Sequence, residues 1–438
     1  MNMIHQSFLD DIHNQQHKRL ENYAQYDNYF YGEQDVGIPK KVKAALESEL
    51  GTVVNYCPLV VNSTVDYIMG GGVNLEAVDN EEAEEALLGV YEANGLLTEE
   101  MIKTITIQGK KGDVFTKTYI DKSDQVQVRI LRPDIVFPRY RTDDYTEMIY
   151  CAVKWFADGS EFDIDDGGMW KAQVFTADMV KFYELQGNDD TESTTWILTK
   201  EEENKLGFIP IIHIKNTIDD LEFGVSDLLV MLDLQDALNK TVTDMLLTMD
   251  NQAFQRLFVF GSQSPPGHEI SQEPGAIVEN TNEMGSVTAI EPASIDGFLE
   301  GMREIIDQIT TVTQIAKVTT TKSGGMIPES GYAARMAYIP LEMKADRKVA
   351  ILQRRFAELN QMIFRALALT GAPDYTGTKT KLHFKSGLPV DEVAQMEVHE
   401  KELVNKIKSR ETVMQERGIK DTDLELARIE VDDIEPAT

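Results

Sequence analysis

From Ser330 the chain reads SGYAARMAYIPLEMKADRKVAILQRRFAELNQMIFRALALTG, one very long helical pattern ended by Gly371. Some forty residues at about 1.5 Å each make a rod of roughly 60 Å, about twice the width of a small domain. Gly371 supplies the stop, because glycine adopts the left-handed conformation that closes a helix C-terminus. Pro340 lies inside the pattern. It predicts a kink there, since proline removes a backbone hydrogen bond and crowds the preceding turn. Whatever the rest of the chain does, it has to be organised around this element.

The first hundred residues carry helical spacing at about 8–25, 38–50, 59–69, 80–94 and 98–108, broken by Gly32, Gly37, Pro58, Gly70-Gly71-Gly72 and Gly95. A β-rich stretch follows. Residues 114–121 and 125–132 alternate across Lys122-Ser123-Asp124, which predicts a hairpin, and further strand-like runs lie at 134–140, 147–156, 169–175, 179–185 and 208–214. At Gly224 the pattern changes. Ser226 is placed to cap a helix to about Asn251, with Leu228, Met231, Leu232, Leu238, Val242, Met245, Leu246 and Met249 as its apolar stripe. Asp233, Asp236, Lys240 and Asp244 form a charged stripe on the same segment. A second helix at about 296–314 repeats the design, with Phe298, Leu299, Met302, Ile305, Ile306, Ile309 and Val312 apolar and Asp296, Glu300, Glu304 and Asp307 acidic. Between the two lies a small β-type insertion with Ser264-Pro265-Pro266-Gly267 and Glu273-Pro274-Gly275 turns. After the second helix, KVTTTKSGGMIPE (317–329) is a poor helix and reads as a mobile loop. The long helix, a short strand at 381–384, a polar helix at about 391–417 and an acidic tail complete the chain.

Charge narrows the function classes. With 42 basic against 74 acidic residues the net charge is −32, which opposes static binding to a nucleic-acid duplex or docking on an anionic membrane. Residues 316–355 run against this trend. Lys317, Lys322, Arg335, Lys344, Arg347, Lys348, Arg354 and Arg355 face only Glu329, Glu342 and Asp346, a local +5 that leaves −37 on the other 398 residues. Ion pairs between subunits are the expected use of the helical part of this island. Lys317 and Lys322, in the Thr/Gly loop, suit weak, sliding contacts with phosphates instead of sequence readout. If several copies packed by their apolar helix faces around an axis, the acidic faces would line a channel that repels DNA from its walls. Cys57 and Cys151 stand far apart and fit small apolar packing in a reducing compartment. The N-terminal residues lack the apolar core of a signal peptide, and Leu228–Met249 is interrupted by four charges, so a soluble intracellular product is expected.

Motifs for catalysis are missing. Gly109-Lys110 resembles part of a phosphate loop, but Thr104 stands where glycine is needed and Lys111 where Ser or Thr is needed. Asp163-Ile164-Asp165-Asp166-Gly167-Gly168 resembles a calcium loop, with glycine misplaced at its fifth position and Val174 at its twelfth, so a turn is expected. There is no HExxH pair and no G-x-S-x-G elbow. His399 has only ordinary charged neighbours. Carboxylates are so numerous that no catalytic pair stands out, which leaves an acidic carboxylate-dependent hydrolase as a runner-up without a site.

The stretches YFYGEQDV (29–36), NYCPLVVNSTVDYIMGGGVNL (55–75), LGFIPIIHIKN (206–216), GVSDLLVMLDLQDALNK (224–240), ESGYAARM (329–336) and IPLEMKADRK (339–348), in this order, resemble the portal (head-to-tail connector) proteins of tailed double-stranded DNA bacteriophages, in the branch of long-tailed phages of Gram-positive hosts. The resemblance spans about residues 20–430. It implies an α+β portal fold, mainly helical: N-terminal helices and a β-containing wing at 1–225, stem helices at 226–251 and 296–315, an α/β clip at 252–295, a tunnel loop at 316–329, a long kinked wing helix and strand at 330–387, and a short helical crown with an acidic tail at 388–438. It implies a ring, usually of twelve subunits, at the unique capsid vertex of the virion, assembled in the host cytoplasm. Its partners would be double-stranded DNA passing without sequence specificity, a terminase motor, major capsid and scaffolding proteins and a head-completion or tail adaptor, with no membrane, cofactor, metal or catalysis. On that reading Lys317, Thr319, Thr320, Thr321, Lys322 and Ser323 face the DNA. Asp233, Asp236, Asp244, Glu300, Glu304 and Asp307 line the channel, Leu232, Met245 and Ile306 pack subunits, and Pro340 marks the kink. A different virion structural or adaptor protein is the remaining alternative.

Overall fold

A computed structural model gives the fold and describes residues 9, 16–34, 52–157, 169–188, 191–252, 257–260, 277–280, 286–289, 294–316, 331–385, 387, 392–416, 422 and 425–426. The chain divides into two units. The first comprises residues 1–325 and 336–387, the second residues 326–335 and 388–438.

In the first unit α1 (His17–Tyr31) lies later than its expected range and stops at Gly32, whose φ of 80° is left-handed. The helix α2 (Cys57–Met69) carries Pro58 in its first turn, where no hydrogen bond is lost. It leads to β1 (Val73–Ala77), a strand the sequence pattern did not disclose. Asn80 caps α3 (Glu81–Ala93) by accepting the Ala83 amide at 3.0 Å, and three glutamates in the first turn suit the positive end of the helix dipole. Next, α4 (Glu99–Lys111) ends with Lys110 and Lys111 in its last turn and Gly112 beyond it.

The expected hairpin forms from β2 (Asp113–Ile120) and β3 (Val126–Leu131), with the Asp121 carboxylate taking the Ser123 and Gln125 amides of its turn. Then β4 (Val136–Tyr140), β5 (Met148–Ala157), β6 (Met169–Phe175), β7 (Met179–Asn188) and β8 (Thr191–Glu203) make a five-stranded antiparallel meander. Both faces of this sheet are covered: Phe137, Ala152, Val174 and Trp196 pack on one side, Val136, Cys151, Val153 and Phe175 on the other. The edge strand β8 hides from sequence patterning, because Trp196 is its buried anchor among exposed Ile197, Leu198, Lys200 and three glutamates. Such a charged edge resists pairing with foreign strands. The strand β9 (Ile211–Lys215) returns to β2, giving a separate sheet in the order β3-β2-β9.

The helix expected from Ser226 begins later. Ser226 accepts the Leu228 amide at 3.0 Å and donates to the Lys110 carbonyl at 2.5 Å, so it fixes a turn. A short 3-10 segment, Leu229–Met231, follows, and α5 (Leu232–Gln252) starts after it. The insertion contains β10 (Leu257–Phe260), β11 (Ile277–Asn280) and β12 (Ser286–Ala289), with β10 central, parallel to β11 and antiparallel to β12. Beyond it α6 (Asp296–Thr313) packs on α5. The long helix α7 (Gly331–Leu369) runs through Pro340, whose ring is exposed. It buries Leu341, Ala345, Leu352, Phe356, Leu359 and Ile363, which follow one another at helical spacings of four, seven, four, three and four. Deep in this face Asn360 accepts the Tyr91 hydroxyl at 2.6 Å and donates to Thr380 at 2.9 Å. As expected, α7 ends before Gly371, and β13 (Thr380–Phe384) then pairs antiparallel with β1. Gly71 is what lets this pair close, since a Cβ there would strike the Lys385 backbone.

The second unit holds α8 (Glu392–Val404) and α9 (Arg410–Glu416) where one helix over 391–417 was expected. Lys406 turns left-handed at φ 55°, the Ile407 amide closes back on the Glu402 carbonyl at 2.9 Å, and Ser409 caps α9 by accepting the Thr412 amide at 3.1 Å. Asn405 and Ser409 were the legible signals for this break.

Candidate functional site

The helix pair α5–α6 brings together most of the residues the sequence marks for function. Asp233, Asp244, Glu300 and Glu304 are exposed, while Asp307 is half-buried. Asp236 differs: both its oxygens accept the Tyr29 hydroxyl, at 2.8 and 2.7 Å, which ties α5 to the end of α1. Burial, and then the hydrogen bond and charge of Asp236, push the Tyr29 hydroxyl well above its ordinary pKa, so it stays a donor. Leu232 is buried by the chain's own residues, and Met245 and Ile306 are half-buried. Lys317, Thr319, Thr320, Thr321, Lys322 and Ser323 lie outside the described residues, as does the calcium-like run from Asp163.

Where α5 begins and α6 ends, the basic island of α7 is put to a different use from the one expected. Lys344 and Lys348, one helical turn apart and both buried, reach Asp227 at 3.2 and 2.7 Å. For Lys344 and Lys348 these ion pairs lie within one chain, where the sequence suggested pairs between subunits. The Asn216 amide donates to the other Asp227 oxygen at 2.9 Å and its carbonyl takes a further bond from Lys348. Lys344 also donates to the Thr313 carbonyl at 3.2 Å, at the negative end of α6, and the neighbouring Arg347 reaches Gln314 at 2.6 Å. Burial raises the Asp227 carboxyl, but the two ammonium charges and the bonds from Lys348 and Asn216 together hold it below the ordinary carboxylate range. Burial likewise pulls the Lys348 ammonium down against the attraction of Asp227. Thus one carboxylate fastens the entry of α5, the exit of α6, the end of β9 and the middle of α7. Beside it a cavity of about 360 Å³ opens between Ile218, Val230, Val312 and Arg347.

Entry into α5 also depends on two glycines. Gly112, at φ +87°, crosses Gly224 so closely that a Cβ on Gly112 would sit 2.6 Å from the Gly224 carbonyl oxygen. The crossing is sewn by backbone bonds from Asn216 to the Gly112 carbonyl (2.8 Å) and from Asp227 to the Gly109 carbonyl (2.9 Å). The lysines that mimic a phosphate loop serve the same corner. Lys110 and Lys111 each reach Asp27 of α1 at 2.7 Å, Lys111 also meets Asp134 at 3.1 Å, and Lys110 lies over the Tyr31 ring.

Asp113, fully buried, accepts Tyr23 at 2.5 Å, His213 Nε2 at 2.7 Å and the Gly224 amide at 2.7 Å. The bonding assigns His213 as the neutral Nε2–H tautomer, with Nδ1 accepting the Tyr140 hydroxyl at 2.6 Å and the ring stacked on Phe115 at 4.3 Å. Burial lowers the His213 pKa and outweighs the opposing hydrogen bond and charge of Asp113. The sign of the linkage follows. Below about pH 6.5 the unfolded chain takes up a proton that folded His213 refuses, so stability falls on acidification, by up to about 1.4 kcal/mol per pH unit. Urea unfolding between pH 7 and 5.5 should show this slope, and His213→Gln should flatten it. An unchanged slope in the variant would contradict the assignment. Asp113 and Asp227 are each saturated by donors, and Asp227 is shifted opposite to the raised pKa that a hydrolase acid requires.

The least expected residues are Gln235, Asn239 and Thr243, buried polar side chains four apart on α5. Their spacing is visible in the sequence, where it reads as part of an ordinary mixed helix face. Among the described residues no helix is long and apolar enough to cross a membrane.

A family model described as "Phage portal protein, SPP1 Gp6-like" matches residues 7–437. Among solved structures, a chain of "Virion of native gene transfer agent (GTA) particle" is similar, with 13% sequence identity, a TM-score of 0.44, and coverage of 87% of this chain and 94% of that one. No curated protein matches.

Proposed function

Because the chain belongs to the SPP1 Gp6-like family of phage portal proteins, a structural virion component, we propose that it forms the ring through which double-stranded DNA enters and leaves the capsid. The family match over nearly the whole chain is the observation that carries this reading. The structure is compatible with it in one specific respect: two packed helices, α5 and α6, bracket a small three-stranded sheet and expose Asp233, Asp244, Glu300 and Glu304. On this reading residues 226–251 and 296–315 are the stem, 252–295 the clip, 316–329 the tunnel loop, 1–225 with 330–387 the wing, and 388–438 a short crown. Acidic stem faces repel the phosphate backbone and keep DNA from sticking to the wall. Twelve subunits, a terminase motor, capsid and scaffolding proteins, a tail adaptor and an origin in a long-tailed phage of a Gram-positive host belong to the same proposal.

Proheads assembled without the chain should stay empty of DNA. The double variant Lys317→Ala/Lys322→Ala should assemble normally yet package or retain measurably less DNA, because it removes the two lysines of the Thr/Gly segment. Quantifying DNase-protected DNA per particle checks this. Wild-type packaging by the double variant would contradict the assigned role of the loop, and filled heads without the chain would contradict the portal role.

A further inference from the structure

Residues 52–56 belong to no strand of the sheets, yet their backbone is paired in a regular way. The Tyr56 amide donates to Gln235 Oε1 at 3.0 Å, the Val54 amide to Asn239 Oδ1 at 2.9 Å and the Thr52 amide to Thr243 Oγ1 at 3.4 Å. Gln235 Nε2 donates back to the Val54 carbonyl at 2.7 Å and to Asn239 Oδ1 at 3.0 Å. The two periods explain the fit. Four residues of helix rise about 6.0 Å, and two residues of extended chain advance about 6.6 Å. Alternate amides of an extended segment can therefore meet every fourth side chain of an antiparallel helix. The mismatch accumulates along the track, and the loosest bond falls on the third rung, where the side chain is shortest.

The track continues into α1. Asn239 Nδ2 donates to Gln34 Oε1, Gln34 Nε2 donates to the Tyr29 carbonyl at 3.0 Å, and Asn55 Nδ2 donates to the Tyr29 and Phe30 carbonyls at 2.9 and 3.0 Å. These carbonyls are the open end of α1, which the side chains close. Every amide of Gln235, Asn239 and Gln34 is thereby oriented by its neighbours, because reversing one would set donor against donor.

We infer that Gln235, Asn239 and Thr243 form a side-chain track standing in for a partner strand, and that residues 52–56 are a releasable strap on it that couples α5 to the end of α1. A β-ladder opens only by separating two backbones. This strap is held by three side chains of one helix, so loss of their bonds should free it while the sheets and α7 stay folded. The inference concerns one chain and stands whether or not the chain forms a ring.

Residue-resolved amide exchange on the full-length protein tests it, comparing wild type with Gln235→Leu/Asn239→Leu. The amides of Val54 and Tyr56 should exchange at least about tenfold faster in the variant, the loss of roughly one net hydrogen bond each. Gly32 and Glu33 at the end of α1 should loosen with them, and β5 and β6 should keep their protection. In Asn239→Asp the acceptor for Val54 survives while the donor to Gln34 is lost, so Val54 should stay protected and Glu33 should not. If the double variant does not fold, Asn239→Asp and Thr243→Val carry the test, the latter releasing Thr52 alone. Unchanged exchange at Val54 and Tyr56, or an equal loss at all amides including β5 and β6, would overturn the strap.

Discussion

Replacing Asp227 with alanine should destabilise the protein by about 3–5 kcal/mol, the usual cost of removing one partner from a buried ion pair. Two lysines converge on this carboxylate, at 3.2 and 2.7 Å, and both are buried. Without it, two buried ammonium groups are left close together, and Lys344 keeps only the Thr313 carbonyl. Urea unfolding at neutral pH measures the loss. The triple variant Asp227→Ala/Lys344→Met/Lys348→Met should recover most of it, because an apolar replacement of a buried ion pair is often neutral. The pH dependence has a definite sign. Asp227 is held below its unfolded value, so its contribution is complete above about pH 4 and is lost as the pH falls through the lower folded value. A change below 0.5 kcal/mol in the alanine variant would show that the junction is held by other contacts.

Gly112→Ala should cost about 3 kcal/mol or more, again read from urea unfolding. A left-handed conformation in a residue other than glycine costs about 1–3 kcal/mol. At Gly112 the new methyl also meets backbone on two sides, the Gly224 oxygen at 2.6 Å and the Ser226 nitrogen at 2.8 Å, and neither can swing away as a side chain would. Gly207 is the matched control: its φ is +72°, and a Cβ there meets nothing within 4 Å. Gly207→Ala should show the backbone cost alone. Equal effects at the two positions would contradict the close crossing of the two chain segments.

Much of the architecture was legible because it is periodic. The apolar face of α7, the stop at Gly371, the β2–β3 hairpin and the pair of amphipathic helices around a β insertion all follow from local spacing and turn chemistry. What stayed hidden depends on partners distant in sequence. Lys344 and Lys348 look like a solvated or intersubunit face until Asp227, more than a hundred residues earlier, is placed between them. Gln235, Asn239 and Thr243 look like part of an ordinary mixed helix face, since nothing local says that the backbone of residues 52–56 lies along them. The edge strand β8 lacks alternation because its residues from Ile197 to Glu203 are exposed beyond the single buried Trp196, and Ser226 reads as a helix cap although its hydroxyl is spent on the end of α4. The acidic positions on α5 and α6 were legible as charged helix faces, whereas the bond of the Asp236 carboxylate to Tyr29 was not, because that partner lies some two hundred residues earlier.

Stem, clip and channel all presuppose that copies of this chain close into a ring. Electron microscopy of the purified full-length protein by negative staining, with native mass spectrometry on the same sample, tests that most directly. The account predicts closed rings with a central opening and a single dominant subunit number of about twelve, the family's usual count. A strictly monomeric species under all assembly conditions, with no ring in reconstituted capsids, would contradict it.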